Sequence, residues 1–287
     1  MARYVVAGAT GRVGSVVATE LLRGNAGTSV IVRSEKARAD WSAKGANAVV
    51  GSLDDVAFLT TALQGATGFF VLLPENVQPD DFHGSRRRMA DAIAAAVVAS
   101  RIPHVVLLSA IAAVLAEGSG PAKDLHYLEN RLRETGVKLT ILRSAYFQDN
   151  IGSVLAPAQH QGIYPHFMPS DDAAFPMIAT KDAGRFAADA LQFPTDRSEI
   201  VLLLGPAYSA RDLAGKLGAA LGKTLHVVPI PPENHVGALL GAGLPQQLAE
   251  AVAEMMASFA AGRIVPQADR QLMGETTIDE VINQIAR

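Results

Sequence analysis

The sequence predicts an α/β protein, a Rossmann-type doubly wound parallel sheet followed by a smaller α/β C-terminal lobe. Three observations carry that expectation. Short β-branched runs alternate with longer amphipathic stretches through the first half, which is how a parallel sheet covered by helices reads in sequence. Strand candidates such as GFFVLL and VVLLS are continuous apolar runs rather than in/out alternations, as expected where both faces of a sheet are buried. The opening strand also runs straight into three spaced glycines and then a helix.

Six strands are expected at 3–7, 29–33, 48–50, 68–73, 104–109 and 139–143. Helices are expected between them at 12–23, 35–44, 56–63, 82–100 and 124–135, each closed by Gly, Pro or Ser signals. After Ser144 the prolines become frequent, from Pro157 to Pro232, and break the chain into short pieces. The expected division is therefore a nucleotide-binding domain over 1–150 and a smaller substrate-binding lobe over 151–287, with some segments returning to the sheet. Within that lobe, helices are expected at 181–191, 210–221 and 246–261, with a strand at 199–204.

Composition narrows the function. Of 287 residues, 49% are hydrophobic and 18% charged, which excludes a disordered chain. Lys plus Arg number 25 against 28 Asp plus Glu, so the basic footprint of a nucleic-acid binder is missing. The absence of cysteine removes disulfides, thiolate nucleophiles and Fe–S clusters together. The apolar stretch 90–100 is bracketed by arginines and is too short to cross a bilayer, so a cytoplasmic protein with no membrane partner is expected. Seven histidines without HExxH spacing argue against metal, and without a GxSxG elbow a hydrolase lacks its nucleophile.

The strongest motif is VVAGATGRVG. Gly8 permits a tight turn, Gly11 lets amides reach a pyrophosphate, and Gly14 lets the helix pack closely on the strand, while the helix N-terminus contributes its positive end. Thr10, Arg12 and Val13 lie in the same loop. At the end of the second strand, where an acid would bind the ribose of NAD, the chain reads VRSEKAR. Arg33 and Lys36, with Ser34, Arg38 and Arg12 close by, suit a 2′-phosphate, so NADPH is expected over NADH. Glu35 is expected to serve as a helix N-terminal acid.

These residues, together with GSLDD, FFVLLP, VVLLSA, HYLENRLRETGVKLTILRSAYFQDNI and FPMIATKDAGRFAADAL, resemble the NmrA-like group of atypical short-chain dehydrogenase/reductases over nearly the whole chain. The resemblance implies an NAD(P)H-dependent oxidoreductase. It places Ser52 and Leu53 against adenine and Leu72, Leu73 and Pro74 along the ribose. It sets Ser144, Ala145, Tyr146 and Phe147 toward the nicotinamide, and Ser109 is expected among the cofactor-binding residues.

The Tyr-x-x-x-Lys pair of typical short-chain dehydrogenases is absent. As the resemblance aligns the chain, its two places fall near Pro121 and near Leu125 or His126. Tyr127 and Arg131 share the spacing but sit too close to the following strand, and an arginine does not shuttle protons. A reductase without that acid suits acceptors whose reduced anion is stabilised by conjugation, such as quinones, azo dyes or polycyclic aromatics. His126 and Tyr127 remain as candidates for a proton donor or a substrate hydrogen bond. Tyr146, Phe147, Phe167, Met168 and Phe175 are expected to wall a cleft for a flat aromatic substrate, with Asn150 and Gln148 as orienting or capping amides. Arg86, Arg87 and Arg88 read as a solvated charged face. His83, His160, His166 and His235 could touch substrate, and nothing selects among them. The expected partner is a small aromatic molecule, the expected state a monomer or homodimer. A second reading is a non-catalytic NADP(H)-binding sensor.

Overall fold

A computed structural model describes residues 2–74 and 79–285. All six expected strands are present: β1 (Arg3–Val6), β2 (Gly27–Val32), β3 (Asn47–Val50), β4 (Gly68–Val71), β5 (His104–Ala110) and β6 (Lys138–Ser144). They pair in parallel in the order β6-β5-β4-β1-β2-β3, so the direction of winding reverses between β1 and β4. The strand Glu199–Leu204 extends the sheet beside β6, as the sequence suggested, and the strand Arg270–Met273 adds an eighth at the edge. That last strand, RQLM, is mostly exposed and has no β-branched run, so it carries no sequence signal.

The five expected helices are α1 (Arg12–Arg23), α2 (Glu35–Ala43), α3 (Val56–Leu63), α4 (Phe82–Ser100) and α5 (Ala122–Glu134). They cover the sheet on two sides because neighbouring strand residues point to opposite faces. Val6 and Phe70 enter one core with Val17 and Leu21 of α1 and Ala187 and Leu191 of the helix Thr180–Gln192. Val5 and Phe69 enter the other, with Leu63 of α3, Ile93 of α4 and Leu132 of α5. Gly184 is what lets the helix Thr180–Gln192 close on α1, because a Cβ there would lie 2.5 Å from Val16 Cβ.

The chain after residue 150 is interleaved with the sheet. Besides those two strands it forms a third core, in which Ile151, Tyr164, Met177 and Leu213 meet Ile278 and Ile282. Among the described residues no helix is long and apolar enough to cross a membrane.

Candidate functional site

The site starts at the reversal of winding, where open α/β sheets form a crevice beyond the strand ends. Gly8 takes φ +67°, and the Gly11 amide donates to its carbonyl at 2.9 Å, closing the turn. A Cβ on Gly14 would stand 2.3 Å from the Gly8 oxygen, so α1 starts against backbone that no other residue allows it to approach. Gly11 is the N-cap of α1 and has no side chain to offer the first-turn amides, which leaves them for an anion.

Above this turn lies a cavity of about 680 Å³. Its floor is Gly8, Thr10 and Gly11, and one wall runs from Ile31, Val32 and Arg33 at the end of β2 to Gly51, Ser52, Leu53 and Asp54. Leu72 and Pro74, past the end of β4, complete it with Ser85, Arg88 and Met89 of α4. Its lining combines the glycine turn, the apolar residues Ile31, Leu53, Leu72 and Met89, and the basic residues Arg33 and Arg88, the mix of backbone, apolar and charged groups that a dinucleotide requires.

Of the nucleotide residues expected from sequence, Gly8, Thr10, Gly11, Arg33, Ser52, Leu53, Leu72 and Pro74 line this cavity together. Lys36 does not: it pairs with Asp40 at 3.1 Å on the exposed side of α2, while Arg38 pairs with Glu35. Ser34 caps α2 by accepting from the Ala37 amide, and Glu35 occupies the first turn, as expected. Val13 and Leu73 are core residues. Arg12 reaches away, donating to the Asp149 carbonyl at 3.1 Å. Asp149 in turn holds the amide and hydroxyl of Thr180.

The charge run on α4 needs correction at Arg86, while Arg87 and Arg88 are exposed as expected. Arg86 is buried, with 1% of its surface exposed, and donates to Asp124 and to the carbonyls of Leu73, Pro74 and Pro121. Arg87 sits over the Tyr127 ring, and Arg88 pairs with Asp81 at 2.7 Å while lining the cavity. The missed signal was helical spacing: Ser85, Arg88 and Met89 share one face at i, i+3 and i+4.

The proposed proton donors are also committed elsewhere. His126 Nδ1 meets the Ala113 carbonyl at 2.8 Å and so carries the proton, while Nε2 accepts from Asn130 at 3.0 Å. Asn130 is oriented by Arg133, which donates to its carbonyl oxygen, so His126 has no proton to release toward a ligand. Tyr127 donates to Asp91 of α4 at 2.9 Å, and that hydrogen bond holds its hydroxyl pKa above the ordinary value. Neither residue lines the cavity.

Ser109 and Ser144 are buried. Ser109 donates to Glu129 at 2.7 Å, and Ser144 to the Ser109 carbonyl. Glu129 also binds Arg143 through two hydrogen bonds of 3.0 and 2.6 Å, a fully interior ion pair beneath the strand ends. Gln148 is buried and donates to the Thr276 carbonyl, which ties the segment after β6 to the stretch before the helix Ile278–Ile285.

Of the expected aromatic wall, Tyr146 is half exposed and meets Phe175 edge-on, with ring centroids 6.0 Å apart. Phe147 packs against the core under α1. Phe167 meets His235 instead, at 5.2 Å, and Met168 donates its amide to His166 Nδ1. Asn150 is half-buried, and its carbonyl accepts from Ser153. Among the described residues no cluster could hold a metal ion.

Comparison with known proteins follows the same outline. The chain is 26% identical over 254 residues to an NAD(P)H azoreductase of Xenophilus azovorans, covering 88% of this chain and 86% of that one. It is 25% identical over 252 residues to quinone oxidoreductase 2 of Escherichia coli, covering 87% and 85%. Among solved structures, the NADPH complex of an E. coli NADPH-dependent quinone oxidoreductase superposes with a TM-score of 0.82 at 21% identity, over 99% of this chain and 100% of that one. The Citrobacter triphenylmethane reductase complexed with NADP(H) gives 0.79 at 18%, over 99% and 100%. At these identities the structures attest the fold. A family model matches residues 2–283, and the chain belongs to the NmrA-like family.

Proposed function

We propose that this protein is an NADPH-dependent oxidoreductase that reduces a conjugated aromatic acceptor, a quinone, azo or polycyclic compound. The observation that carries the reading is the glycine turn beneath a cavity lined by both Arg33 and Arg88. Relatives named for azo and quinone reduction support the reaction class. Bound NADPH supplies the hydride.

In this reading the first-turn amides of α1 hold the diphosphate, and Arg33, with Arg88 across the cavity, selects the 2′-phosphate. Leu72 and Pro74 support the ribose, and Ser52 and Leu53 the base. Tyr146 and Phe175 offer a flat acceptor an aromatic wall, and holding it against the hydride donor provides most of the rate. The buried Glu129–Arg143 pair keeps the ends of β5 and β6 in register beneath that site.

The test mixes the protein with NADPH and a panel of benzoquinones, naphthoquinones, azo dyes and triarylmethyl cations. Acceptor-dependent loss of absorbance at the NADPH band is expected. Tight NADPH binding without turnover of any acceptor would replace this reading with a non-catalytic sensor.

A further inference from the structure

Resting on the NADPH reading above, we infer that Asp81 is a specificity-determining residue: it holds Arg88 as a counterion and so limits how strongly the protein prefers the phosphorylated coenzyme. The two arginines that line the nucleotide cavity differ in one respect. Arg33, at the end of β2, has no ion-pair partner among the described residues, whereas Arg88 Nη2 donates to Asp81 Oδ2 at 2.7 Å. One guanidinium is open to a ligand, and the other is already engaged.

The position of Asp81 is built by its surroundings. It ends the short helical turn Pro79–Asp81, directly before α4. Gln247 of the helix Gln246–Ala260 accepts from the Phe82 amide at 2.9 Å and donates to the Asp80 carbonyl at 2.8 Å, so the backbone is clamped on both sides of Asp81. The Asp81 carboxylate lies over Gly84, in the space that a Cβ there would fill. Although Asp81 stands at the N-cap of α4, its side chain makes no hydrogen bond to the first-turn amides. The carboxylate therefore serves Arg88 and not the helix.

Both partners are about half exposed, Asp81 at 49% and Arg88 at 64%. An ion pair in that setting is weak and opens readily, so a phosphate entering the cavity draws Arg88 away from Asp81. Parting the pair subtracts from what Arg88 contributes to holding the 2′-phosphate. NADH has no such phosphate and leaves the pair closed. Asp81 thus lowers the affinity for NADPH alone, and Gln247 makes the C-terminal helix part of that control by fixing where Asp81 stands. Asp54, the other acid at the cavity, lies on the opposite wall with Ser52 and Leu53 and pairs with neither arginine among the described residues.

Calorimetric titration of Asp81→Asn with NADPH and with NADH tests this, since asparagine keeps the shape and removes the charge. At low ionic strength NADPH should bind about fivefold tighter than to the unaltered protein, with the gain shrinking as salt is raised, while NADH stays within about 1.5-fold. Titrations with 2′,5′-ADP and 5′-AMP should repeat that contrast with the adenosine half alone. Arg88→Gln should weaken NADPH about threefold, and in that background Asp81→Asn should change nothing, because its effect passes through Arg88. Glu134→Gln, which removes the same charge from the last turn of α5 outside the cavity, should leave both affinities as they are.

Equal tightening of NADH and NADPH by Asp81→Asn would assign Arg88 to the diphosphate. Weaker NADPH binding would make Asp81 an organiser of Arg88, and no change would leave the pair without a role. Each of these outcomes overturns the inference. Failure of the unaltered protein to bind either nucleotide would instead sink the coenzyme reading on which it rests.

Discussion

At the nucleotide end the backbone does the shaping. Gly8, Gly11 and Gly14 fix the turn against which α1 starts, and the charged side chains lining the cavity above it include Arg33 and Arg88. At the junction of α4 and α5, side chains from separate segments lock one another instead. Arg86 crosses to Asp124 and the Pro74 carbonyl, and Glu129 gathers Ser109, Arg133 and Arg143. Backbone shape depends on a local motif, whereas an interior polar network depends on partners far apart in sequence. The first tolerates change around it and not within it. The second fails when any one member is removed.

That contrast can be broken or sharpened by substitution. The largest effect on stability is expected at Glu129. Glu129→Ala strips a buried Arg143 of its counterion and should cost about 3–5 kcal/mol in urea unfolding; a loss below about 1 kcal/mol would show that Arg143 finds water. Gly14→Ala forces a Cβ into the Gly8 carbonyl and should lower NADPH affinity by about a hundredfold or more, with overpacking removing about 1–3 kcal/mol of stability. Calorimetry of that variant at unchanged affinity would mean that the glycine turn is not the cradle.

Arg33→Asp removes a charge-assisted contact worth about 1.5–3 kcal/mol. It should weaken NADPH by roughly 10–100-fold and shift preference toward NADH, read as the ratio of the two kcat/KM values; an unchanged ratio would assign the phosphate to other groups.

The smallest effect concerns pH. Burial pushes His104 down to about 4 from its ordinary 6.5, aided by Lys138, and its Nδ1 has no partner. The unfolded chain therefore binds a proton that the folded one refuses. Stability should be full above pH 6.5 and fall by about 1.4 kcal/mol per unit as pH drops from 6.5 toward 4. Unfolding measured across that window should show a shallower slope in His104→Gln.

The fold was legible because its signals are local. The glycine spacing, the apolar strands and the turn residues each fix a short segment, and the apolar run within Glu199–Leu204 marked itself as a strand. The edge strand Arg270–Met273 was not, since its place comes from parallel pairing with Glu199–Leu204 rather than from its own residues. At the site, Arg33 could be read from its position at a strand end, whereas Leu72 reads as ordinary core and was reached only through the family resemblance. Arg86 could not: three consecutive arginines look like a solvated face, and only the fold brings Asp124 and two distant carbonyls to one of them. His126 and Tyr127 misled for the same reason, because their partners Ala113, Asn130 and Asp91 are supplied by tertiary packing or by the next helical turn.

The central claim is that the turn after β1 grips a diphosphate and that arginines on its rim choose the phosphorylated coenzyme. Calorimetric titration of the protein with NADPH and then NADH, at one low ionic strength, tests it most directly. One site per chain with NADPH at least about tenfold tighter is the result this account requires. Equal affinities would remove the arginines' role, and no heat from either nucleotide would contradict the account at its root.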